Sequence, residues 1–141
     1  MPGLLLAPVL ALLAVGAAAF ALRVQRSGQR RHLLGSGATA TPGEADILYF
    51  TGENCTVCHV AQRPALTRLR TSIPDLAVRE IDVAAEPEAA RAYRVMTLPT
   101  TVVLDPLGRA VAVNAGFAGH AVLRAQVEAA RAVGRADVAV A

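Results

Sequence analysis

DILYFTGENCTVCH, residues 46–59, places two cysteines three positions apart between an apolar run and the start of a helical pattern. DILYFT (46–51) combines apolar, aromatic and β-branched side chains, which predicts a buried strand, and GEN predicts a turn. Cys-x-x-Cys between a strand and a helix is typical of a thiol–disulfide redox site, whereas Cys-x-x-Cys-His is the spacing that attaches a c-type haem. Both interpretations use Cys55 and Cys58, and they differ in the role of His59.

The region around this motif alternates predicted strands and helices. After the first strand, the pattern predicts a helix over 55–71 containing Pro64, a strand over 76–83, a helix over 86–95, strands over 100–105 and 110–115, and a helix over 120–133. The order β-α-β-α-β-β-α requires a parallel pair and a final antiparallel hairpin at DPLGR. We therefore expect an α/β domain over residues 45–133, with a four-stranded mixed sheet flanked by helices, followed by a frayed tail over 134–141.

The N-terminal region carries an uncharged apolar run at residues 4–22. Its length suits a transmembrane helix, which needs about 20 apolar residues. Arginines follow the run directly and none precedes it, so the positive-inside rule predicts a single-pass anchor with the domain in the cytoplasm. The alternative is a signal peptide cut near AAA (17–19), which would make the domain extracytoplasmic, although the segment MPG lacks the usual basic charge. Residues 23–44 then form a basic flank and a flexible linker.

Composition limits the classes of function further. The chain has 14 basic and 11 acidic residues, and no acidic residue precedes Glu44. The excess positive charge therefore belongs to the membrane flank, and no nucleic-acid-binding surface is predicted. Two cysteines so close in sequence close a very short loop, which gives little stabilisation, so a purely structural disulfide explains them poorly.

With these motifs placed, residues 45–133 resemble the thioredoxin superfamily. The resemblance rests on YFTGENCTVCH at a strand-to-helix junction, Pro64 early in the following helix, and EID at the end of the second strand. It also rests on TLPTTVVLDPLGR and on Gly116 after the hairpin. It implies a thioredoxin-like fold and a protein-disulfide oxidoreductase without a cofactor. Such a protein would act as a monomer on protein thiols and disulfides, together with an upstream redox partner.

The resemblance also implies roles for individual residues. Cys55 would be the exposed nucleophile at the helix N-terminus, where the unpaired N–H groups and the helix dipole favour the thiolate. Cys58 would be the more buried cysteine that resolves the mixed disulfide. Leu98, Pro99 and Thr100 would form a cis-proline loop that binds an extended substrate segment through main-chain hydrogen bonds.

Several positions depart from the family pattern. Asn54 stands where an aromatic residue usually precedes the first cysteine, and Thr56 and Val57 form an uncommon intervening pair. Tyr49 occupies the place of a buried acid, six positions before the first cysteine, and Val78 lies near the place of its basic partner. The acid helps to move the proton of the second cysteine, so these departures leave the direction of electron flow open. They also keep a non-catalytic thioredoxin-like binding module as an alternative.

His59 separates the remaining interpretations. A haem would need His59 and a second axial ligand, for which Met96 or His120 are the later candidates, in an all-helical domain that the predicted strands disfavour. A structural zinc site is awkward because the adjacent Cys58 and His59 point in different directions on a helix and no second Cys/His pair exists. We therefore expect no metal, and a solvent-facing His59 that can raise the local positive potential near the thiolate.

Overall fold

The computed structural model describes residue 16 and residues 40–140, with side chains up to residue 133. Apart from Gly16, which is helical, the predicted anchor at 4–22 lies outside the described residues, as does most of the predicted linker. Among the residues described, none of the helices combines the length and the apolar character needed to cross a membrane.

Four strands form one mixed sheet in the order β2-β1-β3-β4. The strands are β1 (Ile47–Thr51), β2 (Val78–Asp82), β3 (Thr100–Leu104) and β4 (Ala110–Ala115). β1 pairs in parallel with β2 and antiparallel with β3, and β3 pairs antiparallel with β4. The predicted four-stranded mixed sheet is therefore confirmed. Every position of the central strands β1 and β3 is buried, which explains why their sequences are continuous apolar or β-branched runs.

Helical segments follow β1, β2 and β4. They are a π-helical turn (Cys58–Gln62) that leads directly into α1 (Arg63–Ser72), then α2 (Pro87–Ala92) and α3 (His120–Val140). α2 is shorter than the predicted helix over 86–95, because Arg94 adopts a left-handed conformation with φ of 50° and ends it. α3 is longer than predicted: its backbone stays helical through 134–140, a segment that contains no proline to end it.

The hydrophobic core has one layer on each face of the sheet. Alternate residues of β1 point to opposite faces, so Ile47 and Tyr49 enter one layer while Leu48 and Phe50 enter the other. The first layer is completed by α1 and α3, with Leu66, Leu69, Leu123 and Val127. The second is completed by α2 and the sheet, with Ala89, Ala90, Tyr93, Val102 and Leu104.

An ion-pair network joins the last helix to the start of the sheet. The Arg131 guanidinium donates from Nε to Asp46 Oδ1 and from Nη2 to Asp46 Oδ2, both at 2.9 Å. It also donates from Nη1 to Asp75 Oδ2 at 3.0 Å. This hydrogen bond from Arg131 is the main reason that the pKa of Asp75 lies below its usual value. The Arg131 side chain is only 24% exposed, so its bidentate ion pair with Asp46 is partly shielded from water.

The β3–β4 hairpin is built on a buried carboxylate. Asp105 Oδ1 accepts hydrogen bonds from the backbone N–H groups of Leu107 and Arg109, each at 2.9 Å, and Oδ2 accepts one from Arg109 Nε at 2.6 Å. Burial alone would raise the pKa of Asp105, but the hydrogen bonds from Arg109 and Leu107 together lower it. The carboxylate is therefore held charged, and it fixes the conformation of the turn.

The edge strand β2 carries ion pairs on both of its faces. Arg79 donates to Glu44 at 2.8 Å and to Glu86 at 2.6 Å. Glu80 accepts a short ion-pair contact from Arg63, the first residue of α1. These side chains cover the outer strand beside the site described next.

Candidate functional site

A disulfide joins Cys55 and Cys58, the two cysteines of the chain. Their sulfur atoms lie 2.10 Å apart. Cys55 is partly exposed just before the first helical residues, whereas Cys58 is fully buried. The pair therefore has one sulfur accessible to another molecule and one enclosed by the core.

The helix N-terminus supplies a donor to the accessible sulfur. The backbone N–H of Cys58 donates to Cys55 Sγ at 3.2 Å. Because the first N–H groups of a helix have no partner within the helix, this end carries partial positive charge. Both effects favour an anionic sulfur on Cys55 once the disulfide is reduced.

A π-helical turn separates the cysteines from α1. The N–H of Arg63 donates to the carbonyl of Cys58, five residues earlier. Pro64 has no N–H, and in a continuous α-helix its ring would crowd the carbonyl of Val60. A proline within a helix is expected to disturb its regular winding, and the structure has a widened turn immediately before Pro64. Such turns are frequent at functional sites.

Two side chains of the π-helical turn face the core, those of Cys58 and Gln62. Val60 is apolar, yet it is 69% exposed. Gln62 is instead completely buried, and sequence reasoning gave it no role. Its Nε2 donates to the carbonyl of Ala118 at 3.0 Å, and its Oε1 accepts from the N–H of Ala118 at 2.9 Å. Gln62 lies three, four and seven positions before the buried Ala65, Leu66 and Leu69, so a 3.6-residue period already places it on the buried face, and this spacing was the available signal.

Tyr49 lies beneath the buried cysteine. Its hydroxyl donates to the carbonyl of Cys58 at 3.0 Å and lies 3.4 Å from Thr51 Oγ1. Burial, reinforced by the charge of Glu80, raises the pKa of Tyr49. The residue directly opposite Tyr49 on β2 is Glu80, not Val78, although Val78 packs against the same core layer as Tyr49. Parallel pairing places Val78 opposite the first residue of β1 instead.

The cis-proline loop borders the same region. The Leu98–Pro99 peptide bond is cis, and Pro99 is buried. Leu98 and Cys55 both pack against the core layer that contains Cys58. A Cβ added to Gly52, just after β1, would lie 3.1 Å from Leu98 Cδ1, so the chain before Cys55 passes close to this loop. Thr100 is buried and begins β3.

The candidate tuning residues surround the exposed end of the pair. Asn54, Thr56 and Val57 are all exposed, and Val57 is apolar with 45% of its surface accessible. His59 is also exposed, and its Nε2 lies 3.1 Å from the carbonyl of Glu53, so the ring ties the turn before Cys55 to the helix.

The alternatives involving a metal or haem find little support in this arrangement. Within residues 40–140, no cluster of three or more His, Cys, Asp or Glu side chains is arranged to hold a metal ion. The haem interpretation was expected to go with an all-helical domain, whereas β1 leads directly into the Cys-x-x-Cys segment. The Met96 side chain, a candidate axial ligand, is 92% exposed.

Comparison with known proteins identifies the fold. No protein-family model and no curated protein matches the chain. Among solved structures, it is similar to thioredoxin 1 from Thermosipho africanus, with 24% identity and a TM-score of 0.54, over 63% of this chain and 97% of that one. It is also similar to Fasciola hepatica thioredoxin, with 27% identity and a TM-score of 0.53, over 60% and 79% of the two chains. A thioredoxin-2 of the malaria parasite shares 23% identity, with a TM-score of 0.55, over 59% and 80%.

These similarities extend over 59–63% of this chain. The chain therefore carries a thioredoxin-like fold with a Cys-x-x-Cys pair at the junction of β1 and the following helical segment. In general terms, this combination fits a redox enzyme of the thiol–disulfide class.

Proposed function

We propose that this protein is a thiol–disulfide oxidoreductase that exchanges disulfides with protein substrates through Cys55 and Cys58. The observation that carries the proposal is the disulfide itself. It lies at a helix N-terminus, with one sulfur partly exposed and the other buried, in a thioredoxin-like fold. A purely structural disulfide does not need an accessible sulfur or a donor directed at it.

The reaction consists of two thiol–disulfide exchanges. In the reduced domain, the Cys55 thiolate attacks one sulfur of a substrate disulfide, forms a mixed disulfide and releases the first substrate thiolate. The Cys58 thiolate then attacks the Cys55 sulfur, which forms the intramolecular disulfide and releases the second substrate thiolate. Solvent protonates the released thiolates. In this reducing direction, two electrons pass from the domain to the substrate, and a dithiol partner restores the reduced state; the same steps in reverse oxidise a substrate dithiol.

The cis-proline loop gives the proposal a substrate-binding element. We propose that Leu98, Pro99 and Thr100 hold an extended segment of the substrate beside Cys55 through main-chain hydrogen bonds. The position of Leu98 against the same core layer as Cys55 supports this role. Exposed Asn54, Thr56, Val57 and His59 would then contact the substrate and adjust the reduction potential.

Trapping of the mixed disulfide tests the proposal. A Cys58→Ser variant lacks the resolving thiol, so it should accumulate covalent complexes with substrate proteins that dithiothreitol releases. Cys55→Ser is the matched control, because it removes the accessible sulfur and should trap nothing comparable. A chain that binds the same partners after both cysteines are replaced, with no covalent complex from Cys58→Ser, would instead be a non-catalytic binding module.

We propose further that residues 4–22 anchor the domain in the membrane with the domain in the cytoplasm. The arginines that follow this segment support the orientation, since positive flanks stay on the cytoplasmic side. A reporter that is active only after export, fused to the C-terminus, should be inactive. An active reporter would reverse the orientation.

A further inference from the structure

We propose that Gln62 is a positioning residue that sets the width of the substrate cleft between the cysteine pair and the cis-proline loop. This inference rests on the proposed function, since it concerns how a protein substrate is held. Gln62 is completely buried, although a glutamine is usually exposed. Both polar atoms of its amide bond to one residue, Ala118, which lies 56 positions later in the chain.

The first step of the argument is the location of Ala118. It belongs to the β4–α3 loop, residues 116–119, which connects the edge strand β4 to α3. Ala118 is itself buried, so its N–H and its carbonyl both need partners within the protein. The Gln62 amide supplies one donor and one acceptor, which satisfies both groups.

The second step connects the same loop to the cis-proline. The N–H of Gly116 donates to the carbonyl of Pro99 at 2.8 Å. A short series of contacts therefore runs from the π-helical turn through Gln62 to the β4–α3 loop and on to Pro99. Cys58 begins that turn, so this series joins the two sides of the proposed cleft.

The third step is the role of the π-helical turn. The turn begins at Cys58 and ends at Gln62, and both of these side chains are completely buried, so the amide contact of Gln62 holds the end of the turn that follows the cysteines. The amide contact thus holds the widened turn against the β4–α3 loop, and that loop is hydrogen-bonded to Pro99. A protein segment that must fit between the cysteine pair and Pro99 depends on this spacing, whereas a small disulfide that contacts only Cys55 does not.

Gln62→Met is the appropriate variant, because methionine has nearly the same shape and removes only the two hydrogen bonds. Gln126→Met is the matched control: Gln126 also makes paired amide contacts, with Asn114 at 2.9 Å, but on α3 and β4. Each reduced full-length chain is mixed with insulin and, separately, with the small aryl disulfide DTNB. We expect Gln62→Met to lower the insulin rate about tenfold, the factor that corresponds to ~1.4 kcal/mol, and to leave the DTNB rate unchanged. Gln126→Met should change neither the insulin rate nor the DTNB rate.

Hydrogen exchange separates positioning from local stabilisation. In the Gln62→Met chain, the amide of Gly116 should exchange about tenfold faster, together with that of Ala118. Faster exchange at Ala118 alone, or an equal fall in the rates with both disulfides, would overturn the proposal. If the wild-type chain reduces neither disulfide, the proposed function fails, and the exchange at Gly116 then decides the positioning role by itself.

Discussion

Tyr49 occupies the position at which the resemblance to the thioredoxin superfamily implies a buried acid, and Tyr49→Phe tests whether it has taken over proton transfer from Cys58. A general base at this site would contribute roughly 10²–10⁴-fold to the rate. The structure argues against such a contribution for two reasons. The hydroxyl hydrogen is directed at the Cys58 carbonyl, and burial raises the pKa of the phenol, so it stays protonated at neutral pH and cannot accept a proton.

We therefore expect Tyr49→Phe to leave the chemistry nearly intact and to reduce stability. The lost hydrogen bond should cost about 1 kcal/mol, because the Cys58 carbonyl keeps the N–H of Arg63 as a partner and is not left unsatisfied. For a domain of this size, that loss corresponds to about 4–8 °C in Tm. The rate at which Cys58 resolves a mixed disulfide, measured by single-turnover release of the second substrate thiol between about pH 6 and 9, should change less than about threefold.

Tyr93→Phe is a matched control for this measurement. The Tyr93 hydroxyl is buried and finds no hydrogen-bond partner among the described residues, so its removal should be neutral or slightly stabilising. A loss of about 100-fold or more in the resolving rate of Tyr49→Phe would refute our reasoning, because it has the size of a missing general base. An unchanged Tm would refute the stabilising role of the hydroxyl.

Two further predictions concern the charged groups of the fold. Arg131→Met should lower the free energy of unfolding by about 2 kcal/mol in urea, because it removes a two-pronged contact with half-buried Asp46. Arg124→Met, which breaks the exposed pair with Glu128, should cost less than about 0.5 kcal/mol, and equal losses would contradict this difference. Asp105 has a lowered pKa in the folded state, so its contribution to stability is complete above its unfolded value of about 3.9 and is lost as pH falls through the folded pKa. The Asp105→Asn variant should therefore lose stability less steeply than the wild type in urea melts at decreasing acid pH, and parallel curves would show that Asp105 is not responsible.

The sequence predicted the strands well because the fold buries them in a simple manner. β1 and β3 are covered on both faces, so they appear as continuous apolar or β-branched runs that contrast with their surroundings. The two final strands were identified by the DPLGR turn, where Gly108 adopts a φ of 77°. These signals are local, and the mixed sheet follows from their order.

The features that escaped sequence analysis depend on contacts between distant segments. A glutamine in a helical pattern gives no sign that a carbonyl and an N–H 56 positions later require it, so Gln62 was missed. The pairing of Tyr49 with Glu80 could not be counted from sequence, because parallel register depends on where the crossover ends. The end of α2 also went undetected, since Arg94 takes a left-handed conformation that sequence analysis expects of glycine.

The ion pairs on β2 help to protect the protein from aggregation at high local concentration. An edge strand offers unpaired N–H and C=O groups to other chains and is a common starting point for aggregation. On β2, neighbouring charged side chains are held in ion pairs, Arg79 with Glu44 and Glu86 and Glu80 with Arg63, and charge of this kind disfavours the pairing of a second strand. The β2 edge is therefore an unfavourable place for another protein to extend the sheet. The accessible sulfur instead lies beyond the carboxyl end of β1, where a client chain can meet it without extending the sheet.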